Sequence, residues 1–243
     1  LINHDCKNSR DSISNCLKWS LSEINNIEYS MIPKELNSSF TIADYYEKGN
    51  FIDTCVIPIP GLHNLSNITA AISACRLSKV SYEQIKKNIR NLKLPKRRFE
   101  FKGEYKQRKI IDDYAHHPNE IKETIKLARL FTNKKNQRLV VIFQPHRFSR
   151  IEQFLDDFAT ELSKADSIIL TSIYGAGEVN KNNINSSIIS KKIYKMNNNV
   201  ICLKDNYEVK KHFNNITNTK DFILNMGAGD CNNLWSILNN DRI

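Results

Sequence analysis

A chain of 243 residues with 40% hydrophobic content can fill one large domain or two smaller ones. No run of eighteen apolar residues occurs, and the opening LINHDCKNSR has neither a basic nor an apolar leader stretch, so no membrane partner or signal peptide is expected and the expected location is cytoplasmic. The net charge of +10 comes largely as lysine pairs scattered along the chain, without interleaved aromatic residues; this pattern fits solvated helix faces and anionic small molecules, and no nucleic-acid partner is expected.

Up to about residue 50 the periodicity is weak, with a helix expected over 12–23 and a strand over 39–46. The chain begins with Leu, in what reads as the end of a strand, and is therefore expected to be a fragment. CVIPIPGLHN reads as an extended run stopped by Pro60 and Gly61. The helix that follows places Ile68, Ala71, Ile72 and Cys75 at helical spacing, with Asn64 and Asn67 together near its start. A second helix carries Tyr82, Ile85, Ile89 and Leu92 as its apolar stripe. Pro95 closes the unit, which sets a domain boundary over 94–96 and predicts domains of 1–94 and 95–243.

Beyond the boundary strands and helices alternate: KIIDDY, a helix over 118–131, LVVIFQ, a helix over 152–163, SIILTSIY, a helix over 186–195, NVICLK, a helix over 207–213, DFILNMG and a closing helix. The alternation predicts an α/β fold with a doubly wound, mostly parallel sheet. Ligands of such sheets sit beyond the carboxyl ends of the strands. Four chemically loaded stretches fall there: 112–118, 144–150, 174–178 and 227–230.

IDDYAHHPNE puts two carboxylates, a tyrosine and two histidines ahead of Pro118. Asp112 and Asp113 face opposite ways in a strand and so take different jobs; a purely structural alternative makes the first Asp a loop cap and His117 a helix cap. Metal binding by His116 and His117 is not expected, since no third ligand stands at a familiar spacing. In QPHRFSR, Arg147 and Arg150 are suited to bidentate capture of a carboxylate or phosphate, the structural alternative being a salt bridge to Glu152 or Asp156. YGAGE and NMGAGD each place Gly-Ala-Gly before an acid. None of the seven glycines precedes a lysine, so no Walker-type phosphate loop is present in the sequence, and the six cysteines form no C-x-x-C pair and are expected to be reduced.

In this order PGLHNLSNITAA, RRFEFKGE, DDYAHHPNE, FQPHRFSR, YGAGE and GAGD, across residues 60–234, resemble the Mur ligases. The resemblance implies a Rossmann-like C-terminal Mur ligase domain preceded by the C-terminal part of an α/β ATP-binding domain, with the N-terminal domain and the front of the ATPase domain missing. It further implies ATP-dependent ligation through an acyl phosphate in peptidoglycan synthesis, and FQPHRFSR points to the branch that joins L-alanine to UDP-N-acetylmuramate. By the resemblance Asn64 and Asn67 would meet the adenine, and Arg98 and Asp113 the phosphates and ribose of ATP. Tyr114, His116 and Arg147 would surround the alanine and the reacting carboxylate, and His146 and Arg150 would contact the muramoyl substrate. Magnesium ligands are expected mainly in the missing N-terminal part, the chain's implied partner, so the isolated chain is expected to be inactive. The stretch GDCNN departs from the family's usual Gly-Asp-Ile-Gly-Lys. An inactive nucleotide- or anion-binding α/β module and the related murein-tripeptide ligase are the competing readings.

Overall fold

The computed structural model describes residues 1–12 and 15–240. Its contacts divide the chain into two compact units, Leu1–Lys93 and Leu94–Ile243.

The first unit runs β1 (Ile2–Asn3), α1 (Lys7–Ser12), β2 (Lys18–Ser20), β3 (Tyr29–Leu36), β4 (Thr41–Glu47), β5 (Asn50–Ile57), α2 (Leu62–Leu77) and α3 (Tyr82–Ile89). The strands form one sheet in chain order, β1 to β3 parallel and β3 to β5 antiparallel. The helix expected over 12–23 does not form: Lys18–Ser20 is a strand whose Trp19 and Ser20 are buried between parallel neighbours, while residues 13 and 14 lie outside the described residues. Met31, Ala43, Tyr45, Cys55 and Ile57 make up much of the unit's core.

The inward face of α2 differs from the expected stripe. Leu65, Thr69, Ile72 and Ser73 are buried, whereas Ala71 and Cys75 are exposed. Two hydroxyls can face inward because Thr69 Oγ1 donates to Leu65 O at 2.8 Å and Ser73 Oγ to Thr69 O at 2.7 Å, so neither hydroxyl is buried unpaired. Ser81 starts α3 with a capping box, its hydroxyl accepting from Gln84 N and its own N–H donating to the Gln84 side chain.

The second unit contains β6 (Glu100–Tyr105), β7 (Arg108–Asp113), α4 (Pro118–Thr132), β8 (Leu139–Phe143), α5 (Phe148–Gln153), α6 (Leu155–Leu162), β9 (Ser167–Leu170), α7 (Ser186–Tyr194), β10 (Val200–Cys202), α8 (Asn206–Ile216), β11 (Phe222–Met226) and α9 (Leu234–Asn239). Strand order is β10-β9-β8-β11-β7-β6; all pairs are parallel except β6 with β7. The expected single helix over 152–163 is two helices, with Phe154 at φ −120° between them.

Strand period sorts the core. Ile111, Val141, Phe143, Ile168, Leu170 and Leu224 point to the side of α4 to α7; Ile110, Val140, Ile142, Ile169 and Ile223 point to α8 and α9. Connections run from β7 through β8 and β9 to β10, then α8 carries the chain back to insert β11 between β8 and β7. This reversal makes the carboxyl edge around β8, β11 and β7 a topological switch point, where open α/β sheets form ligand crevices.

Candidate functional site

Asp112 and Asp113 end β7 and are both buried, on opposite faces. Asp113 accepts from Phe99 N at 2.7 Å, Ala115 N at 2.8 Å and Thr124 Oγ1 at 3.3 Å, and burial nevertheless raises its pKa above the usual carboxylate value. Both its oxygens are engaged, and through them Asp113 holds the turn over 97–99 against the loop over 114–117. The loop-capping aspartate is thus the second of the pair, not the first. Asp112 accepts from Asn225 Nδ2 at 3.0 Å and pairs with Arg97 Nε at 3.1 Å.

Arg97 was not singled out in the sequence. It adopts φ 60°, donates from Nη2 to Gly227 O at 2.6 Å, and carries its guanidinium 5.0 Å from the centroid of the Tyr114 ring. Arg98 is exposed, 5.9 Å over the same ring. Tyr114, 37% exposed, is therefore flanked by two guanidinium groups and packs edge-on to His116 at 5.1 Å.

His116 and His117 part company. His117 caps α4: its Nδ1 accepts from Asn119 N at 3.3 Å, and Glu120 returns the bond by accepting from His117 N at 3.2 Å. The structural alternative holds for this residue. The backbone N–H of His116 also donates to Glu120, at 3.0 Å, and its ring stands 5.6 Å from that of His146.

After β8 the chain turns at Gln144 and Pro145. His146 stacks on Tyr174 at 5.6 Å and 15°, and Arg147 N donates to Tyr174 O while Tyr174 N donates to Pro145 O, both at 2.8 Å. Neither arginine makes the alternative salt bridge to Glu152 or Asp156. Glu152 accepts from Asn182 and Asp156 pairs with Lys192; Arg147 instead faces Glu178 at 3.7 Å, and Arg150 Nη1 lies 3.4 Å from His116 O and from His146 Nδ1. Desolvation, with the neighbouring His116, Arg150 and Arg147, holds His146 below the usual imidazole pKa. Glu178 accepts from Ser149 N and Ser149 Oγ, which stitches the loop after β9 to the start of α5.

The loop after β11 is fixed by Gln144, a residue assigned no individual role from sequence. Its Nε2 donates to Asp230 Oδ1 at 2.5 Å and its Oε1 accepts from Cys231 N at 3.0 Å. Gly227, at φ 150°, has no room for a side chain, because a Cβ there would stand 2.8 Å from Cys231 Sγ and 2.9 Å from Gln144 O. Burial raises the Cys231 thiol to about 12, an unreactive position. Cys231 lies buried under the loop, its Sγ 3.8 Å from Arg97 Nη2.

Tyr114, His116, His146, Arg147 and Arg150 thus come together at one loop cluster, with Arg98 beside Tyr114. The guanidinium of Arg147 is half exposed and able to receive an anion. In the first unit Asn67 is exposed, whereas Asn64 is buried with its Nδ2 donating to Pro60 O at 2.8 Å. Among the described residues no group of three His, Cys, Asp or Glu is placed to hold a metal ion.

A doubly wound, mostly parallel sheet with this cluster of basic and aromatic side chains at its carboxyl edge defines a Rossmann-like α/β domain. Residues 97–229, over half of the chain, match the family model described as Mur ligase, glutamate ligase domain, and the chain belongs to that family. It is 59% identical over 247 residues to a UDP-N-acetylmuramate–L-alanine ligase of Prochlorococcus marinus subsp. pastoris (strain CCMP1986 / NIES-2087 / MED4), covering 99% of this chain and 52% of the relative. It is 39% identical over 256 residues to the ligase of the same name from Synechococcus sp. (strain CC9311), covering 100% and 52%. The chain therefore spans about half the length of the curated relatives it matches. Among solved structures, the UDP-N-acetylmuramate-alanine ligase of Thermotoga maritima superposes with a TM-score of 0.74 at 21% identity, covering 91% of this chain and 46% of the other. A murein peptide ligase of Psychrobacter arcticus gives 0.65 at 21% identity, with coverage of 93% and 47%. These likenesses show a shared fold.

Proposed function

We propose that this chain forms part of a ligase that joins L-alanine to UDP-N-acetylmuramate at the expense of ATP, in peptidoglycan synthesis. The observation that carries the reading is 59% identity across nearly the whole chain to a relative bearing that name, together with the meeting of Tyr114, His116, His146, Arg147 and Arg150 at one strand-end cluster. An acid–amine ligation needs charge neutralisation around a transferring phosphoryl group and a receptor for the amino acid's carboxylate. Arg147 supplies the fork for a carboxylate, and the neutral ring of His146 beside Arg150 adds a polar contact for the second substrate. Of the residues assigned to ATP, Arg98 and Asn67 have side chains open to a ligand, whereas Asn64 and Asp113 act by holding the backbone that presents them. ATP supplies the phosphoryl group that activates the carboxylate; magnesium belongs to the reading as its expected counter-ion, with ligands outside this chain. The cytoplasm, where such nucleotide-linked precursors are made, is the proposed location, and no helix among the described residues is long and apolar enough to cross a membrane.

The test joins this chain to the part of the Prochlorococcus relative that it does not match and measures phosphate release with ATP, UDP-N-acetylmuramate and L-alanine. The composite is expected to turn over only when alanine is present, and the chain alone to stay at background. A folded composite without alanine dependence overturns the reading.

A further inference from the structure

A cleft of about 530 Å³ opens in the second unit beside the loop cluster, between the segments that follow β9, β10 and β11. Nothing in the proposed ligation uses it. Its walls carry the exposed rings of Tyr174 and Tyr207, 42% and 58% accessible, with Ile173 and Ile237 as apolar surface. Asp205 and Asp230 supply its acids. Asp205 Oδ1 accepts from Tyr207 N at 2.9 Å and Glu208 N at 3.0 Å, and Asp230 Oδ1 accepts from Gln144 Nε2. Among the described residues the second oxygen of each receives no donor from the protein. Among the described residues Lys204 is the one cationic residue of the wall, against the two aspartates.

Aromatic faces attract cations electrostatically, and a carboxylate with a free oxygen adds a charge-assisted bond to an N–H donor. A concave site that combines these with apolar surface fits one ligand chemistry above others. We propose that this cleft binds an organic ammonium, a primary amine carried on an aromatic or apolar body. The amine would meet Asp230 or Asp205, and the body would lie against Tyr174, Tyr207 and Ile237. The site is coupled to the loop cluster through Tyr174, whose ring stacks on His146 and whose backbone brackets Pro145 and Arg147. Filling the cleft is therefore sensed at His146. The inference does not depend on the ligase reading, since it concerns binding by this chain alone.

The experiment titrates the whole chain with phenethylamine, 2-phenylethanol and 3-phenylpropionate, which share a body and differ in charge, and follows assigned ring resonances by NMR. Phenethylamine is expected to give saturable shifts at Tyr207 and Tyr174 and smaller ones at His146, with the alcohol roughly fivefold weaker or worse and the acid weaker still. Tyr207→Ser, at an exposed position, and Asp230→Asn are each expected to weaken the amine by roughly fivefold while leaving amide shifts elsewhere unchanged. Equal affinity for alcohol and amine, preference for the acid, absence of saturation, or amine binding undiminished in a Tyr207→Ser chain whose amide spectrum is intact would each overturn the proposal.

Discussion

Arg97 binds more of the second unit's carboxyl edge than any residue singled out from the sequence. It pairs with the buried Asp112, holds the Gly227 carbonyl and lies over Tyr114. Removing it leaves a carboxylate uncompensated in the interior, so Arg97→Ala is expected to destabilise the second unit by about 3 kcal/mol, read from the urea midpoint. Lysine keeps the charge without the fork and should recover only part of that loss. His146 yields a pH prediction. Because its folded-state pKa is depressed, the unfolded chain takes up the proton first on acidification. Its contribution is fully present above the ordinary histidine value of about 6.5 and is lost as pH falls from there toward the folded value. The melting temperature of the native chain should drop more between pH 7 and 5 than that of His146→Gln; equal slopes would remove His146 from the account. In the composite enzyme Arg147→Lys should reduce kcat/KM by roughly ten- to a hundredfold, the worth of one charge-assisted contact. An unchanged value there, with a lowered melting temperature, would make Arg147 a partner of Glu178 and nothing more.

Short-range features decide which elements could be read from sequence. The capping pair His117 and Glu120, and Pro118 at the first turn, mark the start of α4 without ambiguity. His117→Ala should cost about 1 kcal/mol, the usual worth of an N-cap, with no effect on the anion cluster. The edge strand β6 was missed because its burial is partial on both faces and it carries a register shift between Phe101 and Gly103. Gly103 sits there at φ 145° with Trp235 so close that a Cβ would stand 2.7 Å from Cζ2 of the indole. Gly103→Ala combines an unfavourable backbone conformation with overpacking, and about 1–3 kcal/mol of destabilisation is expected in thermal unfolding. α2 shows the reverse failure. Its inward threonine and serine look polar in sequence and are satisfied only by bonds one turn back, which a hydrophobic pattern cannot reveal.

For the whole molecule, alternation of buried strands and amphipathic helices made the second unit legible, since fully apolar runs such as LVVIF have no other place than the centre of a parallel sheet. The first unit was less so, because its short strands and antiparallel meander leave weak patterns. In the site, residues that present charge to solvent were readable as a group, whereas those that hold loops together, Arg97 and Gln144 from beneath and Tyr174 through its backbone, declare themselves only through partners distant in sequence. The division at Lys93 and Leu94 predicts that limited proteolysis cuts near Pro95 and leaves a stable fragment of residues 95–243. Survival of residues 1–94 in its place would refute the boundary.

The position of β11 carries a consequence for how the chain is made. It pairs with β7 on one side and β8 on the other, yet every other strand of its sheet precedes it in sequence. During synthesis β7 and β8 leave the ribosome with a strand-wide gap between them, and their inner edges stay unpaired until residues 222–226 emerge. Such long-range closure is slow and exposes open edges. A nascent chain stalled before Phe222 should therefore be protease-sensitive throughout the second unit, and one released a few helical turns later should not.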